Sequence, residues 1–391
     1  MSVMRIATFI ISVFIVGMVE MMVAGIMNLM SDDLGVSEPI IGQLVTLYAL
    51  TFAICGPILV KLTNRFPARS VLLWTLVAFI VGNGIIAIAP NFTILVIGRI
   101  LSSAAASLII VKVLALTAML TVPKNRGKMI GVVYTGFSGA NVFGVPIGTM
   151  IGDWIGWRFT FVFIIVISLL AGLLMLKYLP TTGELNDANR MFNQVTEDNQ
   201  SSSRILRPAE IVKYLAITLL ILIANSVTFV YINPLILENG HSMGYVSLAL
   251  LVNGVAGVVG TSLGGVLADK LTSKRWLIIA FSVFTVMMLI VNLILSTTVL
   301  LLIGLFIWNI VQWSTNPAIQ SGIIEHVEGD TSQVMSWNMS CLNAGIGFGG
   351  IIGGLVVSNI SVEAVTLVSA FIGFVGLIVV LTLKNYHYTK N

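Results

Sequence analysis

Two residues of opposite charge lie inside apolar segments that are long enough to cross a membrane. Glu20 is the single acid within the run from residue 6 to residue 27, and Arg99 lies within the run from 92 to 121. A charged side chain in hydrocarbon is costly, so an ionisable residue inside a membrane segment indicates a functional site. An acid and a base buried in a bundle of many spans suggest proton-coupled transport.

Residue counts place Glu20 and Arg99 at a similar depth. Glu20 lies about 8 residues, or ~12 Å, before the end of its segment near Asn28, and Arg99 lies about as far beyond Asn91. Burial should increase the proton affinity of the acid, whereas a nearby guanidinium should decrease it. Such an acid could load a proton on the outer side and release it inside. A structural ion pair that locks two helices together is the alternative.

A third charged group, Lys112, lies nearer the other end of the run from 92 to 121. A lysine at that depth can extend its ammonium group to the membrane surface along its apolar stem. Alternatively, Lys112 could contact an anionic substrate. The sequence leaves both interpretations open.

Apolar segments of the length of a membrane helix make up most of the chain. Hydrophobic residues account for 57% and charged residues for 9% of the 391 residues, whereas about 25% charged is usual for soluble domains. Period-two alternation is absent, so the predicted fold class is an all-α membrane protein of about twelve helices. The first segment is predicted to be a retained span and not a signal peptide. The predicted spans are 6–27, 38–60, 70–90, 92–121, 129–152, 158–179, 211–234, 243–268, 276–295, 298–323, 332–356 and 364–383.

Basic residues are concentrated in alternate loops, and this asymmetry predicts the orientation. By the positive-inside rule, both termini and the basic loops face the cytoplasm, although the acidic loop from Glu325 to Asp330 departs from the rule. The predicted location is the plasma membrane, as the cytoplasmic membrane of a bacterium. The basic residues are Lys61, Arg65, Arg69, Lys124, Arg126, Lys128, Arg190, Arg204, Arg207, Lys213, Lys270, Lys274 and Arg275.

A polar stretch at residues 180–210 divides the chain into two parts. Its composition cannot bury a core, so it is predicted to be a cytoplasmic linker between six-helix halves at 1–179 and 211–391. Asn64 after the second span corresponds to Asp269 after the eighth (269 − 64 = 205). A duplicated six-helix unit of this kind places a transporter's substrate site between its halves.

Two loops and two spans carry motifs that resemble the major facilitator superfamily. The stretch Gly265–Lys270 followed by Lys274-Arg275 resembles the superfamily's loop signature, which is degenerate in its first-half counterpart at residues 60–69. Arg99 resembles the fourth-helix arginine of proton-driven members, although Ser103 stands where a glycine is usual. Gly144-Val-Pro-Ile-Gly148 resembles the fifth-helix glycine-proline motif of exporters.

The chain also resembles one branch of that superfamily, the drug:proton antiporters, which includes purine and sugar efflux pumps. The resemblance rests on residues 16–20, 42–43, 56–57, 144–148 and 156–158. It implies two pseudo-symmetric halves and proton coupling through Glu20 and Arg99. It also implies a gating loop of charge pairs, although Asn64 lacks the charge for a symmetric latch. The gating residues are predicted to be Asn64, Arg65, Arg69, Asp269, Lys270 and Arg275.

Aromatic and amide side chains occur on the spans that are expected to line a substrate cavity. Trp308, Gln312 and Asn316 recur every four residues and share one helix face, where indoles and amides could stack on a planar ring. Hydrogen bonds between helices, worth about 1 kcal/mol each, are the alternative. The candidate substrate-binding residues are Tyr48, Phe52, Lys112, Tyr134, Phe137, Asn141, Asn225, Tyr231, Trp308, Asn309, Gln312, Trp313, Asn316, Trp337 and Asn338.

The sequence contains no nucleophile triad, phosphate-binding loop or metal-ligand cluster. It therefore predicts no enzyme activity, cofactor, metal site or nucleic-acid partner. The expected partners are a small-molecule substrate, protons and the lipid bilayer, and a monomer suffices because one chain contains both halves. The predicted function is proton-coupled export of small organic molecules, such as purines or nucleosides, sugars or drugs. Uptake by proton symport and a lipid or metabolite translocase remain as alternatives.

Overall fold

A computed structural model describes residues 2–122, 125–181, 183–184, 204–328 and 331–384. These residues contain twelve helices that are long and apolar enough to cross a membrane, which confirms the predicted all-helical fold. Most of the predicted linker lies outside the described residues. In chain order the spans are Val3–Gly25, Glu38–Thr63, Ala68–Ile88, Phe92–Met119, Met129–Ile155, Trp157–Tyr178, Pro208–Glu238, Met243–Leu271, Ser273–Ile294, Thr298–Ile324, Gln333–Asn359 and Ala364–Leu381.

The chain divides into two compact units, Met1–Gln200 and Ser201–Asn391, and each contains six of the spans. The first three spans of the two units begin 205 residues apart (208 − 3, 243 − 38 and 273 − 68), and the fourth begin 206 apart (298 − 92). An offset of 205 residues therefore relates equivalent positions in the first three spans of the two units.

Three spans are interrupted or extended. A break at Ile26 separates the first span from a short helix, Met27–Leu34, and the seventh span consists of helices Pro208–Phe229 and Ile232–Glu238. The fifth span comprises helix Arg126–Gly139, a π-helical turn at Ala140–Gly144 and helix Val145–Ile155. A π-helical turn such as Ala140–Gly144 frequently occurs at a functional site. The helix of the eleventh span is Ser332–Asn359.

Two short strands, which the sequence analysis does not predict, join the end of the linker region to the second unit. Arg204–Ile205 pairs antiparallel with Val327–Glu328, directly after the tenth span. The Leu206 amide extends the pairing by donating to the His326 carbonyl at 3.0 Å. The segment before the seventh span is thereby fixed to the segment after the tenth.

Rows of glycines bring pairs of helices into close contact. Gly136 of the fifth span lies against the Ile10 carbonyl of the first span, and a Cβ atom at Gly152 would lie 2.9 Å from Ile26 Cγ2. In the second unit, a Cβ atom at Gly345 would lie 2.6 Å from Leu222 Cβ of the seventh span. Small residues allow membrane helices to approach closely. These glycines therefore serve to pack the first span against the fifth and the seventh against the eleventh.

Candidate functional site

Glu20 lies in the buried part of the first span, with 8% of its surface exposed. Among the side chains that the structure describes, none forms an ion pair or a hydrogen bond with its carboxyl group. The first span packs against the second, fourth, fifth and sixth spans, which surround this acid with helices. Glu20 is therefore a buried carboxyl group without a bonded counter-ion.

Arg99 of the fourth span is fully buried, and its guanidinium binds main-chain carbonyl groups. It donates to the carbonyls of Leu44 at 3.2 Å, Val19 at 2.8 Å and Glu20 at 3.2 Å. The bond to Glu20 confirms that the two residues lie at the same level, as their residue counts predict. The contact runs through the main chain of Glu20 and not through its carboxylate. The alternative of a structural ion pair is therefore not what holds these spans together.

Tyr48 of the second span lies directly beside Arg99. The guanidinium carbon is 4.4 Å from the centre of the Tyr48 ring, and the Ser103 hydroxyl donates to the Tyr48 carbonyl at 2.7 Å. The phenol hydroxyl is buried and has no hydrogen-bond partner among the described residues. Phe52 stacks on the same ring, with a centroid distance of 6.2 Å. Ser103, the departure from the usual glycine, thus helps to position Tyr48.

Tyr134 completes the group around the acid, because it lies near Glu20 on the fifth span, which packs against the first. Its ring stacks on Phe137 at a centroid distance of 5.4 Å. The Asn141 amide, in the π-helical turn, donates to the Phe137 carbonyl at 3.0 Å. Tyr48, Arg99 and Tyr134 are the ionisable groups that the structure brings together with Glu20.

Lys112 does not join this cluster. Its ammonium group lies 3.2 Å from the Asn64 side-chain oxygen, at the end of the second span. That contact places Lys112 beside a predicted gating residue and matches the interpretation in which its side chain extends toward the membrane surface.

In the second unit, Trp308 of the predicted polar face and the nearby Trp313 form hydrogen bonds with other spans. The Trp308 indole donates to the Asn225 side-chain oxygen at 3.0 Å, and Phe229 meets the Trp308 ring edge-on at 6.5 Å. One turn further on, the Trp313 indole donates to Asn253 at 3.4 Å. Trp308 is fully buried. This indole–amide group links the seventh, eighth and tenth spans.

Other candidate residues of this unit have different surroundings. The Asn309 amide donates to the Leu305 carbonyl at 2.8 Å, while its buried side-chain oxygen has no partner within the described part of the chain. Asn338 accepts from the Thr218 hydroxyl at 2.6 Å. Tyr231 donates to the Gly350 carbonyl at 3.0 Å, Asn316 accepts from Gln320 at 3.1 Å, Gln312 is buried, and Trp337 is 41% exposed.

The 205-residue offset identifies two positions that residue type alone does not connect. Glu20 corresponds to Asn225, and Tyr48 corresponds to Asn253 (20 + 205 and 48 + 205). Asn253 is not among the residues predicted from the sequence, although the offset could have identified it. Equivalent positions therefore hold an acid and a phenol in one unit and two neutral amides in the other.

Five of the six predicted gating residues are exposed, namely Asn64, Arg65, Asp269, Lys270 and Arg275. Arg69 instead donates to the carbonyls of Leu176 at 2.6 Å and Leu179 at 3.0 Å. The last carbonyls of a helix lack partners within the helix, so Arg69 caps the sixth span. The three ion pairs among the described residues include none of the six.

The second unit repeats this arrangement with lysines. Lys274, which corresponds to Arg69 (69 + 205), donates to the Leu383 carbonyl beyond the twelfth span. Lys213 donates to the Thr382 carbonyl at 2.9 Å and to the Glu210 carboxylate at 2.8 Å. Cations near a helix C-terminus interact favourably with its dipole. These basic residues therefore hold the ends of the sixth and twelfth spans.

An ion pair marks the opposite end of the first unit, which is predicted to face outward. Arg158 binds the Asp33 carboxylate and donates to the Ala89 carbonyl at 2.9 Å, and the Trp157 indole donates to Asp33 at 3.2 Å. The hydrogen bond from the Arg158 guanidinium holds the pKa of Asp33 below its usual value. Trp157 is buried in this cluster.

Comparison with known proteins identifies the family of the chain. The profile of the Major Facilitator Superfamily matches residues 9–332. The chain is 28% identical over 374 residues to the uncharacterized MFS-type transporter YbcL of Bacillus subtilis (strain 168), covering 95% of this chain and 93% of YbcL. It is 28% identical over 378 residues to the uncharacterized MFS-type transporter YtbD of the same organism, covering 95% and 91%.

A solved structure agrees at the level of the fold. The crystal structure of a D-xylose–proton symporter matches with a TM-score of 0.78 at 14% identity, over 98% of each chain. Identity this low supports the shared architecture alone. The profile match covers most of the chain, and the twelve helices indicate a multi-pass membrane protein. The chain therefore belongs to the major facilitator superfamily, and it is a membrane transporter and not an enzyme.

Proposed function

We propose that this transporter exports small organic molecules in exchange for protons, and that Glu20 carries the proton. The supporting observation is a buried carboxyl group that forms no ion pair with any described residue, beside a guanidinium whose hydrogen bonds go to main-chain carbonyls. Because those carbonyls hold Arg99 regardless of the charge on Glu20, the acid can gain or lose a proton without releasing the contacts between spans. A structural ion pair would instead require a permanent carboxylate.

The second unit supplies the groups that we propose bind substrate. Trp313 offers a partly exposed aromatic ring, the buried Trp308 indole orients the partly exposed Asn225, and the buried Asn309 oxygen is an acceptor without a partner among the described residues. Neutral or weakly ionised ring compounds suit such a surface, because indoles stack on planar rings and amides bind their polar edges. Purines or nucleosides are the first class to test, followed by sugars and drugs.

Export by antiport is favoured over uptake by symport because of the fifth-span motif that includes Gly144, Pro146 and Gly148. Those glycines hold the first and fifth spans together, with Gly144 and Gly148 against Met18 and Met22, on either side of Glu20. The solved structure with a similar fold is that of a D-xylose–proton symporter, so symport is the second candidate. The direction of proton movement distinguishes the two.

The test uses everted membrane vesicles with an acidic interior, with and without this protein. Purines, sugars and a cationic dye are each added outside in one arm and preloaded inside in the other, while a fluorescent probe reports the pH gradient. Antiport predicts proton efflux only when substrate is added outside, because substrate then enters in exchange. Symport predicts efflux only with preloaded substrate. A gradient that no compound changes in either arm would contradict proton coupling.

The indole–amide pair gives a prediction about substrate affinity. Trp308→Phe keeps an aromatic ring but removes the N–H group that orients Asn225, so the concentration for half-maximal transport should rise about fivefold, as loss of about 1 kcal/mol implies. Trp74→Phe is the matched control, because Trp74 is 74% exposed on the third span. An unchanged concentration dependence in Trp308→Phe would contradict a substrate role for this face.

A further inference from the structure

Tyr48 carries a polar group for which the structure offers no partner. Its hydroxyl is buried and makes no hydrogen bond within the described residues. Leaving a buried hydroxyl unpaired costs about 1–3 kcal/mol. The Arg99 guanidinium lies over the ring, and the Ser103 hydroxyl binds the main-chain carbonyl of the same residue, so both the ring and the backbone of Tyr48 are held. A hydrogen-bond partner in another state of the protein would remove the cost of the unpaired hydroxyl.

The carboxyl group of Glu20 lacks a hydrogen-bond donor among the described side chains. The three Arg99 hydrogen bonds go to carbonyl oxygens and not to this carboxyl group. A buried carboxylate without donors is expensive, whereas a protonated carboxylic acid tolerates the same surroundings far better. The arrangement therefore suits the proton-loaded form of Glu20. Once the proton leaves, the carboxylate needs a donor.

Two phenols lie near Glu20, and only that of Tyr48 has a buried hydroxyl without a hydrogen-bond partner among the described residues. Tyr134 is half-buried, so its hydroxyl is not among the buried groups without a partner, whereas that of Tyr48 is. Arg99 is the charged group beside both Tyr48 and Glu20. The other titratable residues on the spans packed against the first span lie elsewhere along them, and the side chains of Arg126 and Lys128 lie outside the described residues. The described ones are Glu38, Cys55, Lys61, Lys112, Asp153, Arg158, Lys177 and Tyr178.

We infer that the Tyr48 hydroxyl donates a hydrogen bond to the Glu20 carboxylate after the proton has left, and so sets the pH at which the proton is released. This inference rests on the proposed function. The Glu20 proton leaves to water, Tyr48 keeps its own proton, and no covalent bond is made. The Glu20 side chain has rotatable bonds through which its carboxyl group can turn to this donor. Tyr48 is thus a positioning residue for proton release.

Infrared titration of the purified protein in lipid tests this role. The protonated-carboxyl band of Glu20 is identified by its absence in Glu20→Gln, and its midpoint is followed with pH. Tyr48→Phe keeps the ring beneath Arg99 and removes the donor, so the midpoint should move upward by about one pH unit, a tenfold change in proton affinity. Tyr134→Phe should move it less, and Tyr178→Phe should leave it unchanged.

A second readout separates this role from a structural one. Because the hydroxyl is buried without a partner among the described residues in the proton-loaded form, Tyr48→Phe should raise the melting temperature below the midpoint and lower it above the midpoint, where the hydrogen bond to Glu20 is lost. A midpoint that Tyr48→Phe does not move, or that only Tyr134→Phe moves, would overturn the inference while the proposed function stands. Absence of a Glu20 band from the wild-type protein at every pH would instead refute the proposed function.

Discussion

Arg99→Lys is expected to destabilise the first unit by about 3 kcal/mol and to abolish transport. The guanidinium reaches three carbonyls on two spans and stacks on Tyr48. A lysine ammonium is a compact charge that cannot reproduce this planar set of donors. Each lost hydrogen bond to a charged group contributes about 1.5–3 kcal/mol, so losing one or two of them gives this expected size. Because lysine retains the positive charge, this variant tests the geometry of the hydrogen bonds separately from the charge.

The measurement is the melting temperature of the purified protein, followed by transport in vesicles that contain equal amounts of folded protein. Arg65→Lys serves as the matched control, because Arg65 is exposed at the end of the second span. We expect the control to melt like the wild type. If Arg99→Lys also melts like the wild type and still transports, the carbonyl contacts do not hold these spans together.

Gly136→Leu is expected to lower stability by about 3 kcal/mol, because overpacking a close contact forces the backbone to move. A Cβ atom at Gly136 would overlap with the Ile10 carbonyl oxygen, which belongs to the first span. Backbone cannot turn aside as a side chain does, so the first and fifth spans must separate. That separation would also disturb Glu20 and Tyr134, which lie on these two spans.

Gly131→Leu is the matched control on the same helix, since a Cβ atom there meets no other atom within 4 Å. Leucine favours a helix over glycine by about 0.8 kcal/mol, so this variant should be as stable as the wild type or more so. Opposite effects of one substitution at two positions five residues apart are the expected result. Equal effects, measured by thermal unfolding, would show that helix propensity and not the contact between spans decides stability.

Part of the site could be predicted from the sequence because depth along a helix follows from residue number. Counting from the span ends placed Glu20 and Arg99 at one level, and the structure joins them there. Their mode of contact could not be predicted, because it depends on helix rotation and on main-chain carbonyls, which have no sequence signature. The same holds for the hydroxyl of Tyr48.

The hydrogen-bond partners of the basic loop residues could not be predicted from the sequence. The positive-inside pattern and the superfamily resemblance both select Arg69, and neither says what its guanidinium binds. The structure uses Arg69 and Lys274 to cap the sixth and twelfth spans. Capping partners are far apart in the sequence, and any cationic side chain of suitable length can perform this role. The π-helical turn at Ala140–Gly144 could not be predicted from the sequence either, because its residues are compatible with an ordinary helix.

The internal repeat shows a difference between the two units at two positions of the candidate site. Glu20 and Asn225 occupy equivalent positions, as do Tyr48 and Asn253, so the ionisable groups occur in one unit and neutral amides in the other. This division agrees with the proposed roles, in which the first unit binds the proton and the second binds substrate.

The most direct test of proton coupling through Glu20 is transport driven by a pH gradient alone. Proteoliposomes containing wild-type protein, Glu20→Gln or Asp153→Asn receive the compound that the vesicle screen identifies, and its movement against its own concentration gradient is followed. Asp153→Asn is the control, because this acid is exposed near the end of the fifth span. We predict that wild-type protein and Asp153→Asn accumulate the compound and that Glu20→Gln, with an unchanged melting temperature, does not. Accumulation by Glu20→Gln at the wild-type level would contradict the assignment of Glu20 as the proton carrier.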